Sequence, residues 1–455
     1  MSLFPLPHET IEGVGQMLRQ GQATCVQVLE RCLDRIEEWE PRLKAWVLVD
    51  REGAIEQAQA LDRELARGEC RGPLHGIPIG IKDIIDVAGL PTAAGFPPWR
   101  SHVAQRDASV VAALRMGGAV ILGKTVTTQF AWIDPPPTRN PWNLSRTPGG
   151  SSSGSATAVA VGMCLGALGS QTGGSIIRPA SYCGVAGLKP TFSGRADGVF
   201  PLAPSLDHPG PIARSVRDLG LLFRELLRSG VATEAEVQSP SEVDAACNSL
   251  FKVPSTPVRL ARFRGEFEAR IDRTALEVCD RAMSILAEKG ALVTEVELPF
   301  DFDEVTHHHR LIMAAEAAAV HSSVFAQAPE SYQPRIRSLV EEGQTITAVQ
   351  YILAREHQDR LRTSMSEASE NIDAFVLPAT LGPAPDADTT GNPALNAPWS
   401  YVGSPTLCFP LGLTHEELPL GIQLVGPRWF HEDDLITTAA WCESIIRGAA
   451  SLRRL

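Results

Sequence analysis

Residues 148–190 read PGGSSSGSATAVAVGMCLGALGSQTGGSIIRPASYCGVAGLKP. Two Gly/Ser clusters bracket an apolar run. The first spans Gly149 to Ser155 and the second Ser170 to Ser175. Between them, Ala156 to Leu168 is small and apolar, which predicts a closely packed buried helix. The second cluster predicts a tight turn whose glycines expose backbone N–H groups beside a serine hydroxyl. Acyl transfer needs both: a nucleophile, and donors aimed where negative charge develops on a carbonyl oxygen. A flexible Gly/Ser linker fits poorly, because linkers do not alternate with a dense apolar segment and then run into Ile176-Ile177-Arg178-Pro179.

The chain around this stretch reads as alternating helix and strand. Helices are predicted after Thr10, over Ala23 to Glu40 and over Arg51 to Arg67. Ile77 to Ile81 predicts a buried strand that delivers Lys82. Ala108 to Met116 predicts a helix, and Ala119 to Leu122 another buried strand. Arg228 to Thr256 is polar and predicts a variable surface connection. A strand follows from Arg259, a helix over Arg273 to Lys289, a strand over Ala291 to Val296 and a mostly helical stretch over Val305 to Glu370. Phe375 to Pro378, Thr406 to Pro410 and Gly421 to Gly426 complete the strands; Leu381 to Pro398 predicts a loop at the rim of the site. Such alternation argues for an α/β layer fold.

The signature stretch resembles that of the amidase signature family of serine hydrolases. The shared motifs include GGSSSGSA, TGGS and RPASYCGVAGLKPT. Upstream the likeness takes in GPLHGIPIGIKDIIDVAGLPTAAG, and downstream WSYVGSPTLCFPLGL and LPLGIQLVGPRWFHEDDL. The resemblance implies one compact α/β domain over residues 1–455, with a mixed, many-stranded twisted sheet covered by helices. It would comprise an N-terminal helical part (1–70), a signature core (71–225) and a helical pocket segment (300–370). Length alone would suggest roughly three domains, and the resemblance overrides that count.

The resemblance also implies roles. Lys82, Ser151 and Ser175 take the places of the base, bridging serine and nucleophile, with 24 positions separating the serines and a cis peptide between Gly150 and Ser151. Independently, a lysine at the end of an apolar strand loses proton affinity on burial and becomes a base near neutral pH, whereas a surface lysine would merely pair with Asp83. The N–H groups of Thr172, Gly173, Gly174 and Ser175 are expected to hold the oxyanion, and Ser152 is expected to hydrogen-bond Lys82. Much of the family has Asp before the TGGS turn and Arg two residues after the nucleophile. Here Gln171 stands in the acidic position and Arg178 three residues after Ser175. That pattern resembles a malonamidase-like branch in which such an arginine receives a substrate carboxylate. The alternative, an arginine capping carbonyls near Pro179, stays open.

Other function classes fit less well. Gly118 to Thr125 matches GxxxxGK[ST], but Ala-Val-Ile-Leu favours a buried strand over an open phosphate loop. The net charge of −12 argues against nucleic acid or anionic membrane as a general partner. Nine scattered cysteines without CxxC spacing fit free thiols in a reducing compartment, and Cys183 reads as packing. His307, His308 and His309 occupy consecutive helical positions that diverge, and no carboxylate–histidine spacing is read as supporting a site, so neither metal nor cofactor is expected. The N-terminus lacks a basic region followed by a long apolar run, which predicts a cytoplasmic protein. The substrate is expected to be a small-molecule amide, with carbamate or ester hydrolysis and the amidase component of a tRNA-dependent amidotransferase as alternatives. A homodimer is a reasonable expectation from the resemblance.

Overall fold

The computed structural model describes residues 10–227, 239, 241, 251, 254–297, 300–368 and 371–449. Most of the polar connection predicted over Arg228 to Thr256 therefore lies outside the described residues. The architecture is a single α/β unit built on one mixed sheet of eleven strands. The strands are β1 (Trp46–Val49), β2 (Pro78–Lys82), β3 (Val120–Thr125), β4 (Gly166–Gln171), β5 (Ala186–Lys189), β6 (His208–Ala213), β7 (Arg259–Arg264), β8 (Leu292–Glu297), β9 (Ala374–Pro378), β10 (Thr406–Leu413) and β11 (Pro419–Val425). Their order across the sheet is β1-β3-β2-β4-β6-β5-β10-β11-β9-β7-β8. Parallel pairing joins β2 to β3 and β4, and β7 to β8 and β9, while the other neighbours are antiparallel. Every residue of β2, β3 and β4 is buried, as expected for central strands covered by helices on both faces.

The helix Ser153–Val161 lies inside this shell with all nine residues buried. Small residues are required there. A Cβ at Gly154 would sit 2.2 Å from the Ala45 carbonyl oxygen and 2.4 Å from the Val126 nitrogen. Backbone cannot step aside cheaply, so Gly154→Ala is expected to destabilise the fold by about 1–3 kcal/mol or more. Urea unfolding followed by circular dichroism checks this; an unchanged midpoint would refute it.

The predicted helix over Ala156 to Leu168 needs correction. It stops at Gly162, which adopts a left-handed conformation (φ 77°) and accommodates the turn that ends the helix. The chain then re-enters the sheet as β4. A short apolar run carries no period that separates buried helix from buried strand. Strand β1 has only four residues and was not predicted. Residues 397–402, which begin inside the expected rim loop and extend beyond it, form a short helix. The helices and strands predicted elsewhere fall within a few residues of expectation; Thr10, for example, caps the first helix by accepting from the Gly13 amide at 3.0 Å. Strands β5 and β6 and the helices Ile177–Cys183, Val216–Leu226 and Glu432–Gly448 were not predicted.

Candidate active site

Parallel pairing of β2 between β3 and β4 carries Lys82 beneath the serine loops. Its side chain is fully buried. Nζ lies 2.7 Å from Ser151 Oγ, 3.1 Å from Ser152 Oγ and 2.8 Å from Ser170 Oγ. Burial drives the amine well below the ordinary lysine range, and the charge of Asp207 opposes that shift. Asp83 is not its partner. That carboxylate pairs with Lys124 at 2.9 Å.

Ser152 Oγ donates to the Ser170 carbonyl at 3.2 Å and accepts from the Ser170 amide at 3.2 Å. Its single proton is thereby committed, so it faces Lys82 as an acceptor. A neutral amine has one lone pair, which can accept from Ser151 or Ser170. Ser170 was not among the predicted site residues, although it belongs to the same Gly/Ser cluster.

The peptide between Gly150 and Ser151 is cis, the geometry implied by the resemblance. The serine loop meets the turn that carries Ser175 where the Ser152 amide donates to the Ser175 carbonyl at 3.3 Å. Ser175 is 7% exposed, while Lys82, Ser151 and Ser152 are at 0%. The predicted nucleophile is buried as well, though less completely than those three.

The turn Thr172–Ser175 is anchored through its carbonyls. His309 Nε2 donates to the Thr172 carbonyl at 2.9 Å, Ser400 Oγ to that of Gly173 at 3.0 Å, and the Arg178 amide to that of Gly174 at 3.0 Å. Burial lowers His309 to about 4, so the ring is neutral with its proton on Nε2. These contacts hold three of the turn's carbonyl groups in place.

Gln171 explains how the turn does without the family's acid. Its Oε1 accepts from the Ile176 and Ile177 amides at 2.9 and 3.0 Å, at the start of the helix Ile177–Cys183, and its Nε2 donates to Ser400 Oγ at 3.1 Å. A neutral amide thus caps the helix and also secures Ser400. On the other side of the turn, Asp207 accepts from the Thr172 hydroxyl and from the Leu202 and Ala203 amides at 2.8 and 3.0 Å. Burial raises its carboxyl to about 7.

Arg178 is 1% exposed. Nη2 donates to the Gly150 carbonyl at 2.7 Å, while Nε and Nη1 are buried without a hydrogen-bond partner among the described residues. Burial lowers the guanidinium to about 10. It holds a carbonyl, as the capping alternative had it, although the carbonyl is that of Gly150.

The P-loop match is a buried strand whose Lys124 also donates to Thr92 Oγ1 at 2.9 Å, so it forms no phosphate cradle. Cys183 is buried and burial raises its thiol to about 12, which leaves it inert at neutral pH. The eight described cysteines are all free and buried. Among the described residues, no helix is long and apolar enough to cross a membrane. Sequence reasoning missed Ser170, Asp207, His309 as an anchor, and Ser400. An acid inside the apolar run Pro201 to Pro211 was a usable signal for Asp207; Ser400 offered no local one.

The Amidase family profile matches residues 27–435. An amidase of Pseudomonas putida is 36% identical over 381 residues, covering 82% of this chain and 80% of the relative. A glutamyl-tRNA(Gln) amidotransferase component from Roseiflexus castenholzii is 34% identical, covering 95% of each chain. The crystal structure of native peptide amidase from Stenotrophomonas maltophilia superposes with a TM-score of 0.82 at 28% identity, covering 98% of each chain.

Proposed function

We propose that this chain, which belongs to the amidase family, cleaves small-molecule amides through an acyl-enzyme on Ser175. At the coarser level it is a hydrolase of carbon–nitrogen amide bonds. The observation that carries the finer reading is the buried Lys82 amine, 2.7 Å from the Ser151 hydroxyl beneath the turn that bears Ser175.

The neutral amine takes the Ser151 proton as Ser151 takes that of Ser175. Ser175 Oγ attacks the carbonyl carbon, and the N–H groups of Thr172, Gly173, Gly174 and Ser175 receive the developing negative charge. Ser151 then gives a proton to the leaving nitrogen, Lys82 restoring it. Water enters by the reverse relay and frees the acid. Because only the leaving group differs, carbamates and esters fall within reach of the same atoms. The test is a screen of amides, carbamates and esters, with a fluorophosphonate to mark the nucleophile. Mass spectrometry should place the label on Ser175; a label elsewhere, or none on active protein, would refute the assignment.

Arg178 supports placing the chain in a malonamidase-like branch. Its Nε and Nη1 are two donors left over after Gly150 is satisfied, and a guanidinium fork suits a carboxylate. Arg178→Ala is expected to raise KM for carboxylated amides at least about tenfold more than for neutral ones, the scale of one lost charge-assisted contact. Equal loss on both substrate types would leave Arg178 as a support for Gly150 alone. The likeness to the Roseiflexus amidotransferase component favours a second reading, to be tested by glutamine-dependent transfer in the presence of partner proteins. Gln171 in place of the family's acid weighs against it.

A further inference from the structure

The three consecutive histidines diverge, as their spacing requires. His309 turns to the Thr172 carbonyl, and His307 is exposed. His308 instead meets two residues from outside the run. Glu304 precedes it by one turn of the helix Phe302–Gln327, and His357 projects from the helix Ala348–Glu367. The Glu304-to-His308 interval of four is a carboxylate–histidine spacing, which corrects the expectation that none supports a site. One ligand atom from each of the three lies within 4.8 Å of the others.

The hydrogen bonds around His357 fix its tautomer. Tyr401 has one hydroxyl proton, which it donates to the Ala354 carbonyl at 2.8 Å. Toward His357 Nδ1, at 2.9 Å, it can therefore only accept. A neutral His357 then carries its proton on Nδ1 and a bare lone pair on Nε2. That lone pair faces Glu304 Oε1 at 3.6 Å. The two imidazole rings stack with centroids 4.2 Å apart, and His308 Nδ1 is buried without a hydrogen-bond partner among the described residues. A lone pair aimed at a carboxylate, beside a second unpartnered imidazole nitrogen, is an arrangement completed by a cation.

We propose that Glu304, His308 and His357 form a binding site for a borderline divalent metal ion of the zinc or cobalt type. Two imidazole nitrogens and a carboxylate oxygen suit such an ion, with a fourth position for water. Tetrahedral ligands at about 2.1 Å from a metal stand about 3.4 Å apart, so the observed spacings close by side-chain rotation of about an ångström. Tyr401 supplies the outer contact that orients a metal-bound histidine.

The ion would tie together two helices that both reach the turn of the active site. His309 follows His308 directly and holds Thr172. Gln358 follows His357 and donates to the Tyr401 carbonyl, next to Ser400, which holds Gly173. This role is a brace, separate from the chemistry at Ser175.

The test is titration of metal-stripped full-length protein with Co²⁺, read by visible absorption, followed by displacement with Zn²⁺. One equivalent should bind with the intense bands of tetrahedral cobalt and raise the melting temperature. Glu304→Gln, at an exposed position, and His357→Gln should each weaken binding at least about tenfold. His431→Gln, in an exposed histidine–aspartate pair elsewhere, should leave it unchanged. Circular dichroism identifies any variant that fails to fold, and Glu304→Gln then decides. Absence of saturable binding, or one equivalent bound undiminished in Glu304→Gln, would overturn the site.

Discussion

Ser175→Ala is expected to abolish fluorophosphonate labelling and to lower kcat by about 10⁴- to 10⁶-fold, the range seen when a nucleophile is removed from a relay that works as a unit. The reason lies in exposure and placement. Ser151 and Ser152 are fully buried, whereas Ser175 keeps slight exposure. Its turn is held by His309, Ser400 and the Arg178 amide. None of those contacts uses the Ser175 side chain, so the alanine variant should keep its melting temperature. Burst kinetics with an activated ester separate the two effects. A full acyl burst in Ser175→Ala would put the nucleophile elsewhere.

The second large effect belongs to Lys82. Lys82→Ala removes the proposed base and is expected to slow labelling by about 10²- to 10⁴-fold. Its signature is the pH profile. A protonated amine has no lone pair, so activity is lost as pH falls through the folded-state value of Lys82. Burial places that value well below 10.5, so the acid limb should lie well below the ordinary lysine range. Ionised Asp207 favours the ammonium form and raises the value. Burial raises Asp207 itself to about 7, so Asp207→Asn should move to lower pH a limb that lies above that value and leave a lower one in place. Rates of labelling against pH for the wild type and both variants check this. An unshifted limb that persists in Lys82→Ala would assign it to another group.

Much of this arrangement was legible in advance because its signals are local. A β-rich apolar run ending in lysine predicts a strand that carries Lys82 inward, and β2 does so. Glycines beside a serine predict a tight turn. Where local signals are ambiguous, the reading erred: Ala156 to Leu168 divides at Gly162 into helix and strand. Burial on all sides removes the periodicity that would have told the two apart.

The order of residue types alone determined an α/β chain, a serine-bearing turn and a strand that carries Lys82 inward, since each depends on neighbours a few positions away. Only tertiary packing decided what surrounds them. Ser400 reaches Gly173 across 227 positions, and Asp207 reaches Thr172 across 35. His308 finds His357 on another helix. Such pairings arise where separate elements dock, and no period or spacing within one segment encodes which side chains will meet there.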